Sequence, residues 1–110
     1  MTEVFEQTCR EFGARLEADI DFSYGPVNLK PGDPVLDHAF AAIRRVGLNP
    51  ELRSTGGGSD ANVFNTKGIA ACNLGTGYRG AHSLTESIAV SELEKIGEVV
   101  LALIQEYASL

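Results

Sequence analysis

Two short apolar runs in the second half of the chain each end in a glycine-rich loop. Residues 51–54 lead into TGGGSDAN, and residues 69–74 lead into GTGYRG. Helical patterns lie before and after these runs, and this order of elements is typical of parallel strands covered by helices. Folds of this α/β class place their ligands in the loops at the carboxyl ends of the strands. The sequence therefore predicts that the two glycine loops are the functional region.

Two amphipathic helices are predicted around these loops. The first begins at Pro34 after a capping Asp33 and ends before Gly47, because proline suits the first helical turn and glycine the residue after the last. The second carries Ser91 and Glu94 in the S-x-x-E spacing of a capping box. The apolar stripe of the first helix consists of Val35, Leu36, Ala39, Phe40, Ile43 and Val46. The apolar face of the second consists of Leu93, Ile96, Val100, Leu103, Ile104 and Tyr107.

The beginning of the chain has a pattern of its own. From Thr2 to Phe12 the apolar residues recur at helical spacing and meet Gly13, which predicts a short helix with a glycine stop. Residues 15–24 alternate apolar and polar side chains, which predicts a half-exposed strand. Residues 25–32 contain two prolines and two glycines, so we interpret them as a connector and a domain boundary.

Charge and composition argue against two classes of partner. The net charge is -6, and the 9 basic residues are dispersed apart from the adjacent Arg44 and Arg45, so no basic stripe can neutralise a phosphate backbone. No apolar run approaches the roughly 20 residues that span a bilayer, and no basic and apolar signal opens the sequence. Cys9 and Cys72 lack the spacing of a metal site or a disulfide framework. We therefore expect a cytoplasmic protein with reduced thiols that binds neither nucleic acid nor membrane.

The second glycine loop also matches a nucleotide-binding pattern. Gly75, Gly77 and Gly80 satisfy GxGxxG after a predicted strand. In the dinucleotide fingerprint, the glycines open a helix directly and an acidic residue follows a second strand about 20 residues later. Here a polar, irregular segment follows the glycines instead. Nucleotide binding is therefore a less favoured alternative, as is a loop whose glycines only turn the chain.

Taken together, the loops, a histidine and the last helix resemble the end of a zinc peptidase family. This family includes tripeptidases, carboxypeptidases, aminoacylases and succinyl-diaminopimelate desuccinylases. The resemblance is carried by the GGxSDA loop, the run ending in LGxG, and His82 four residues before Glu86. It implies that residues 1–28 are the end of a lid, or dimerisation, domain, formed by a helix and a strand. Residues 29–110 would be the C-terminal part of the catalytic domain, with parallel strands and covering helices.

The resemblance also assigns roles to individual residues. His82 matches the family's last metal ligand, and neutral imidazole binds zinc well; the alternative is a surface or packing residue. Glu86 would orient the loop or the ligand, or else be a solvated carboxylate near a helix start. Gly57, Gly58 and Ser59 match the loop that lines the substrate cleft, where glycines let a backbone approach a ligand. The alternative for these residues is a tight turn before a helix cap.

Two further polar residues have little support from these motifs. His38 lies inside the first predicted helix of the catalytic part, and we interpret it as structural. The amide of Asn62 could contribute to the glycine loop, but the sequence gives it little weight.

Most of the family's metal site has no counterpart in the sequence. The HxD motif, the bridging aspartate, the Glu-Glu pair with its general base and the further acidic ligand are absent. The resemblance implies that the complete enzyme holds two zinc ions and acts on a peptide or an N-acyl amino acid. Zinc takes about four ligands, and His82 can supply one of them. We therefore expect weak or no zinc binding, no catalytic residue and no activity for this chain alone, as for a fragment of a longer enzyme. The exposed strand predicts a homo-oligomer, and a non-catalytic dimerisation or partner-binding module is the alternative function.

Overall fold

The computed structural model describes residues 2–109, which contain four helices. They are α1 (Thr2–Glu11), α2 (Pro34–Arg45), α3 (Asp60–Thr66) and α4 (Val90–Ala108). Within these residues, the one β pairing is an isolated antiparallel bridge between Arg79 and Ser87. The two longest helices supply most of the core, and the loops between the helices carry the sequence motifs.

Helices α2 and α4 form the one helix–helix contact in the described part of the chain. Ala42 is completely buried, and Ala39 and Ala102 are nearly so. Leu36 and Val99 are the larger buried residues of these two helices. Small side chains let two helix backbones approach closely, so this contact is a compact one built mainly from alanine.

His38 lies at the edge of this helix pair. Its ring packs on the ring of Tyr107, with the two centroids 4.7 Å apart. Its Nδ1 lies 3.8 Å from Oε1 of Glu106. The residue joins α2 to the end of α4, in agreement with its interpretation as structural.

The ends of the first two helices follow the predicted glycine and proline signals, with one exception. Gly13 and Gly47 follow α1 and α2 with φ angles of 64° and 80°, a left-handed conformation that glycine adopts without strain. Pro34 occupies the first turn of α2, and Asp33 is the N-cap residue. However, Oδ2 of Asp33 accepts from the backbone N–H of Lys30 at 2.7 Å, so this side chain does not cap the helix.

The predicted strands at residues 15–24, 51–54 and 69–74 are absent from the described part of the chain. A strand exists only where a neighbour completes its ladder of backbone hydrogen bonds, and short isolated pairs of strands are marginal in water. The prediction of parallel strands is therefore wrong for residues 2–109. The alternation of apolar and polar side chains shows which residues suit a strand. It does not show whether a second strand is present to pair with them.

The start of α4 differs from the predicted capping box. The helix begins at Val90, and its N-cap residue is Ala89, which has no side chain that could cap it. Ser91 and Glu94 are both already helical, so the motif lies two residues too late to act as a box. The predicted helix is present, but its predicted cap is wrong.

Helix α4 is apolar on two sides. Its buried residues are Val99 and Ala102, which lie outside the predicted apolar face. The exposed residues of that predicted face are Leu93, Val100, Ile104 and Tyr107. Because apolar residues lie on two sides of α4, the periodicity of its sequence cannot show which side meets α2. The choice of face is therefore corrected by the structure.

The chain exposes more surface than a compact domain of its mass. Its accessible surface is 8968 Å², whereas folded monomers of this mass expose about 5,900 Å². The Cα radius of gyration is 19.8 Å, against about 13 Å for a compact domain of this length. None of the described helices could cross a membrane. Much apolar surface on α1, on residues 15–24 and on α4 thus lacks a partner within residues 2–109.

Candidate functional site

His82 lies in a loop that is closed by backbone hydrogen bonds. The backbones of Arg79 and Ser87 exchange two such bonds, of 2.8 and 3.1 Å. Inside this bridge, the carbonyl oxygen of Gly80 accepts from the backbone N–H of Ser83 at 3.1 Å and from its hydroxyl at 2.6 Å. The loop is therefore held by its own hydrogen bonds, and His82 is exposed within it.

The backbone of His82 is left-handed, with a φ angle of 61°. It is the one non-glycine residue with a positive φ in the described part of the chain, and this conformation costs on the order of 1–2 kcal/mol. The backbone N–H of His82 donates to Oε2 of Glu86 at 2.6 Å, a short charge-assisted bond. Glu86 thus stabilises the strained backbone that carries the imidazole. An effect of Glu86 on a bound metal stays a prediction.

A metal site is not assembled by the described residues. Within residues 2–109, no three His, Cys, Asp or Glu side chains come close enough together to hold a metal ion. His82 offers one imidazole, whereas zinc takes about four ligands. These residues do not form a zinc site by themselves, and the metal-ligand role of His82 stays a prediction.

The glycine loop at residues 56–59 is open at two glycines and covered at the third. A Cβ atom placed on Gly56 or Gly57 would meet no atom within 4 Å. One placed on Gly58 would collide with the hydroxyl of Tyr24 and would lie 2.7 Å from Cζ of its ring. Gly58 therefore fits closely against Tyr24, whereas Gly57 leaves space for an incoming group. That these residues and Ser59 contact substrate stays a prediction.

The amide of Asn62 organises this loop, a contribution to which the sequence alone gave little weight. Asn62 is the one buried polar residue in the described part of the chain. Its Oδ1 accepts from the backbone N–H of Ser59 at 2.9 Å, and its Nδ2 donates to the carbonyl of Gly25 at 3.0 Å. Nδ2 of Asn73 donates to Oγ of Ser59 at 2.7 Å. The sequence feature that could have identified this role is the spacing of Asn62. It is the third residue after the N-cap Ser59, as in a capping box.

The GTGYRG loop does not have the geometry of a dinucleotide site. Gly77 and Gly80 have φ angles of 80° and 65°, so glycine serves the turn itself. A Cβ on Gly77 would lie 2.9 Å from Oε2 of Glu92, which places a carboxylate where a pyrophosphate would need N–H donors. The next helix begins only at Val90. This geometry does not support the nucleotide-binding alternative.

Two open clefts lie near the start of α4. One, of about 290 Å³, has Ile43, Leu74 and Ile96 among its lining residues. The other, of about 310 Å³, is bordered by Arg79 and Glu92 among others. The lining of neither cleft includes His82 or residues 56–59. His82 and residues 56–59 thus lie on loops outside both clefts.

Comparisons with known proteins agree on one family. Residues 3–106 match the peptidase family M20/M25/M40. The chain is 38% identical over 108 residues to the protein YqjE of Bacillus subtilis, covering 98% of this chain and 29% of that protein. It is 27% identical over 111 residues to peptidase T of Exiguobacterium sibiricum, covering 98% of this chain and 27% of that protein.

A solved structure agrees with these sequence matches. The crystal structure of aminopeptidase PepT from Bacillus cereus matches with a TM-score of 0.78 and 39% identity, over 97% of this chain and 29% of that chain. The chain belongs to the peptidase family M20/M25/M40, and the family resemblance predicted from the loop motifs is confirmed. Within the family it is similar to peptidase T. It spans less than a third of the length of these relatives.

Proposed function

We propose that this chain is the part of a peptidase T-like, zinc-dependent amide hydrolase that carries one metal ligand and part of the substrate cleft. The observation that supports this most is the setting of His82. By the resemblance of the loop motifs it would be the family's last metal ligand, and it lies on a loop fixed by Glu86 and by the bridge between Arg79 and Ser87. A ligand needs a fixed backbone and an accessible imidazole, and His82 has both.

The complete enzyme would act on peptides or N-acyl amino acids with two zinc ions. Zinc supplies a polarised carbonyl and an attacking water of lowered pKa. The acidic ligands and the general base of the family have no counterpart in this sequence. This chain alone would therefore bind zinc weakly and hydrolyse no peptide.

The substrate would approach the glycine loop at Gly57. The space beside Gly57 and the lack of a side chain there support a backbone contact with an incoming peptide. Gly58 and Ser59 would fix the shape of the loop, Gly58 through Tyr24 and Ser59 through its hydrogen bonds.

The domain division predicted from the sequence is part of the same proposal. Residues 1–28 would be the end of the lid, and residues 29–110 the C-terminal part of the catalytic domain. The exposed apolar side chains of the first segment would contact a second copy in a homo-oligomer; they include Val4, Phe5, Phe12, Ile20 and Phe22. Light scattering that finds a monomer at high concentration would contradict this assembly. We further propose that the protein works in the cytoplasm.

The test of the metal role uses a longer chain that contains this sequence and hydrolyses tripeptides. His82→Ala should reduce hydrolysis to background and weaken the binding of one zinc ion. Glu86→Ala should weaken zinc binding by about 10- to 100-fold. His38→Ala is the matched control, because His38 packs between α2 and α4, and it should keep both zinc ions.

Two outcomes would contradict the proposal. Full activity of the His82→Ala variant would remove His82 from the metal site. Tight zinc binding by the 110-residue chain alone would mean that its residues form a different site. A longer chain that dimerises but neither binds zinc nor hydrolyses peptide would favour the non-catalytic module, for which the exposed apolar surface is the supporting observation.

A further inference from the structure

Side chains of α3 bind both backbone groups of one distant residue. The backbone N–H of Gly25 donates to Oγ1 of Thr66 at 3.0 Å. The carbonyl of Gly25 accepts from Nδ2 of Asn62, also at 3.0 Å. Hydrogen bonds to both the N–H and the C=O of one residue fix its orientation as well as its position. The segment that precedes α2 is therefore fastened to α3 at Gly25.

The same side chains are held in place by α3 and by the glycine loop. Oγ1 of Thr66 donates its proton to the carbonyl of Asn62 at 2.8 Å, which leaves its lone pairs for the N–H of Gly25. Oδ1 of Asn62 accepts from the backbone N–H of Ser59 at 2.9 Å and lies 3.3 Å from its hydroxyl oxygen. The Asn62 amide thus uses its oxygen on Ser59 and its nitrogen on Gly25. A displacement of Gly25 must therefore also act on Ser59.

A second contact runs parallel to this one. Tyr24 precedes Gly25 in the chain, and Gly58 precedes Ser59. The hydroxyl of Tyr24 occupies the position that a Cβ of Gly58 would take. Two consecutive residues of the segment therefore meet two consecutive residues of the loop. Tyr24 contacts Gly58 directly, and Gly25 is joined to Ser59 through Asn62.

We propose that Asn62 and Thr66 are positioning residues that couple the glycine loop to the segment ending at Gly25. The loop at residues 56–59 takes its substrate-binding shape when Gly25 is bound to α3, and it loses that shape when Gly25 leaves. The burial of Asn62 supports this role, because a buried amide is costly unless its hydrogen bonds are made. The coupling stands on these contacts alone, whereas its consequence for substrate binding rests on the proposed function.

The coupling is tested in the 110-residue chain by amide hydrogen exchange and NMR shifts. Thr66→Val keeps the shape of the side chain and removes the acceptor of the Gly25 N–H, so exchange at Gly25 should rise about tenfold. The amide resonances of Gly58 and Ser59 should shift as well, although the side chain of Thr66 is hydrogen-bonded to Gly25 and Asn62 and not to either of them. Thr66→Ser keeps the hydroxyl and should restore the original exchange rate and shifts.

Two further variants separate the two hydrogen bonds. Asn62→Asp keeps an acceptor for Ser59 but replaces the donor to Gly25 with an oxygen, and it should give the same pattern as Thr66→Val. Gly25→Ala is the control, since its Cβ would lie at an ordinary 3.7 Å from Oγ1 of Thr66 and both backbone groups remain. This variant should leave the resonances of Gly58 and Ser59 unchanged.

The consequence for substrate binding is measured in a longer, active chain. Thr66→Val and Asn62→Asp should raise KM about tenfold and change kcat by less than about twofold, because the loss is one of binding geometry. Thr66→Ser should restore KM. A fall in kcat at constant KM would show a merely structural role through loss of folded enzyme.

The inference is overturned if Gly25 exchange rises in Thr66→Val while the resonances of Gly58 and Ser59 stay unchanged. It is also overturned if Gly25 exchange does not rise at all. A longer chain without peptidase activity would contradict the proposed function, and the NMR experiment would still decide whether the coupling exists.

Discussion

The helix pair α2–α4 and the surroundings of α3 are held together by different forces. Between α2 and α4 the buried side chains are all aliphatic. Around α3 one alanine, Ala61, is buried, and the long-range contacts include hydrogen bonds of Ser59, Asn62, Thr66 and Asn73. Apolar burial has no direction, whereas a hydrogen bond requires one donor to meet one acceptor at a defined angle. The helix pair therefore supplies stability, and the α3 region supplies defined geometry at the loop.

The largest effect is expected from the helix pair. Leu36→Ala removes its largest buried aliphatic side chain and should lower the free energy of unfolding by about 2–5 kcal/mol, measured by urea titration with helical circular dichroism. Leu101→Ala on the exposed side of α4 is the control and should change it by less than about 0.5 kcal/mol. An equal loss in both variants would show that the exposed side of α4 is covered in solution.

A smaller effect is expected from the hydrogen-bonded region. Asn62→Ala leaves the carbonyl of Gly25 and the N–H of Ser59 without their partner, at a cost of about 1–3 kcal/mol. Asn49→Ala, at an exposed position, is the matched control and should be neutral within about 0.5 kcal/mol.

The independence of the two regions can be tested by combining these changes. The double variant Leu36→Ala with Asn62→Ala should lose the sum of the two single losses within about 0.5 kcal/mol, because the residues share no partner. A strongly non-additive result would mean that the two regions unfold as one coupled unit.

The close contact of Tyr24 with the glycine loop gives the next effect. Gly58→Ala must displace the Tyr24 ring, at a cost of about 0.5–1.5 kcal/mol, and should shift the ring's NMR signals. Gly57→Ala places its Cβ in open space and should leave those signals unchanged. Matching behaviour of the two variants would contradict the contact between Tyr24 and Gly58.

The smallest effect concerns the Cys72 thiol, next to Asn73. Burial raises the pKa of this thiol, so less thiolate is present at a given pH than in the unfolded chain. In a Cys9→Ser background, alkylation at pH 8 should be slower in the native protein than in urea, and the two rates should converge as the pH passes the raised pKa. The corresponding contribution to stability is present below the ordinary thiol pKa and is lost as the pH rises through the folded value. Equal rates at pH 8 would mean that water reaches Cys72 freely.

The difference between contacts within one element and contacts between distant residues explains which features the sequence could predict. Periodicity and glycine stops correctly placed α1, α2 and α4, because each helix satisfies its backbone internally. They failed for the strands, whose hydrogen bonds need a partner from elsewhere, and for the buried face of α4, which is apolar on two sides. The family was predicted from the order of the loop motifs. The contact of Asn62 with Gly25 was not predicted, because Gly25 lies 37 residues away and no local pattern indicates such a contact.

At position 82, folding and chemistry favour different residues. A φ of 61° suits glycine, and histidine adopts it only with strain that Glu86 offsets in part. Under the proposed role, glycine at this position would supply no metal ligand, so natural selection would have kept the less stable histidine. Variants selected for thermal stability alone should accumulate glycine there, whereas variants selected for hydrolysis should keep histidine. The strained backbone of His82 would then be a result of selection for activity that lowers the stability of the loop.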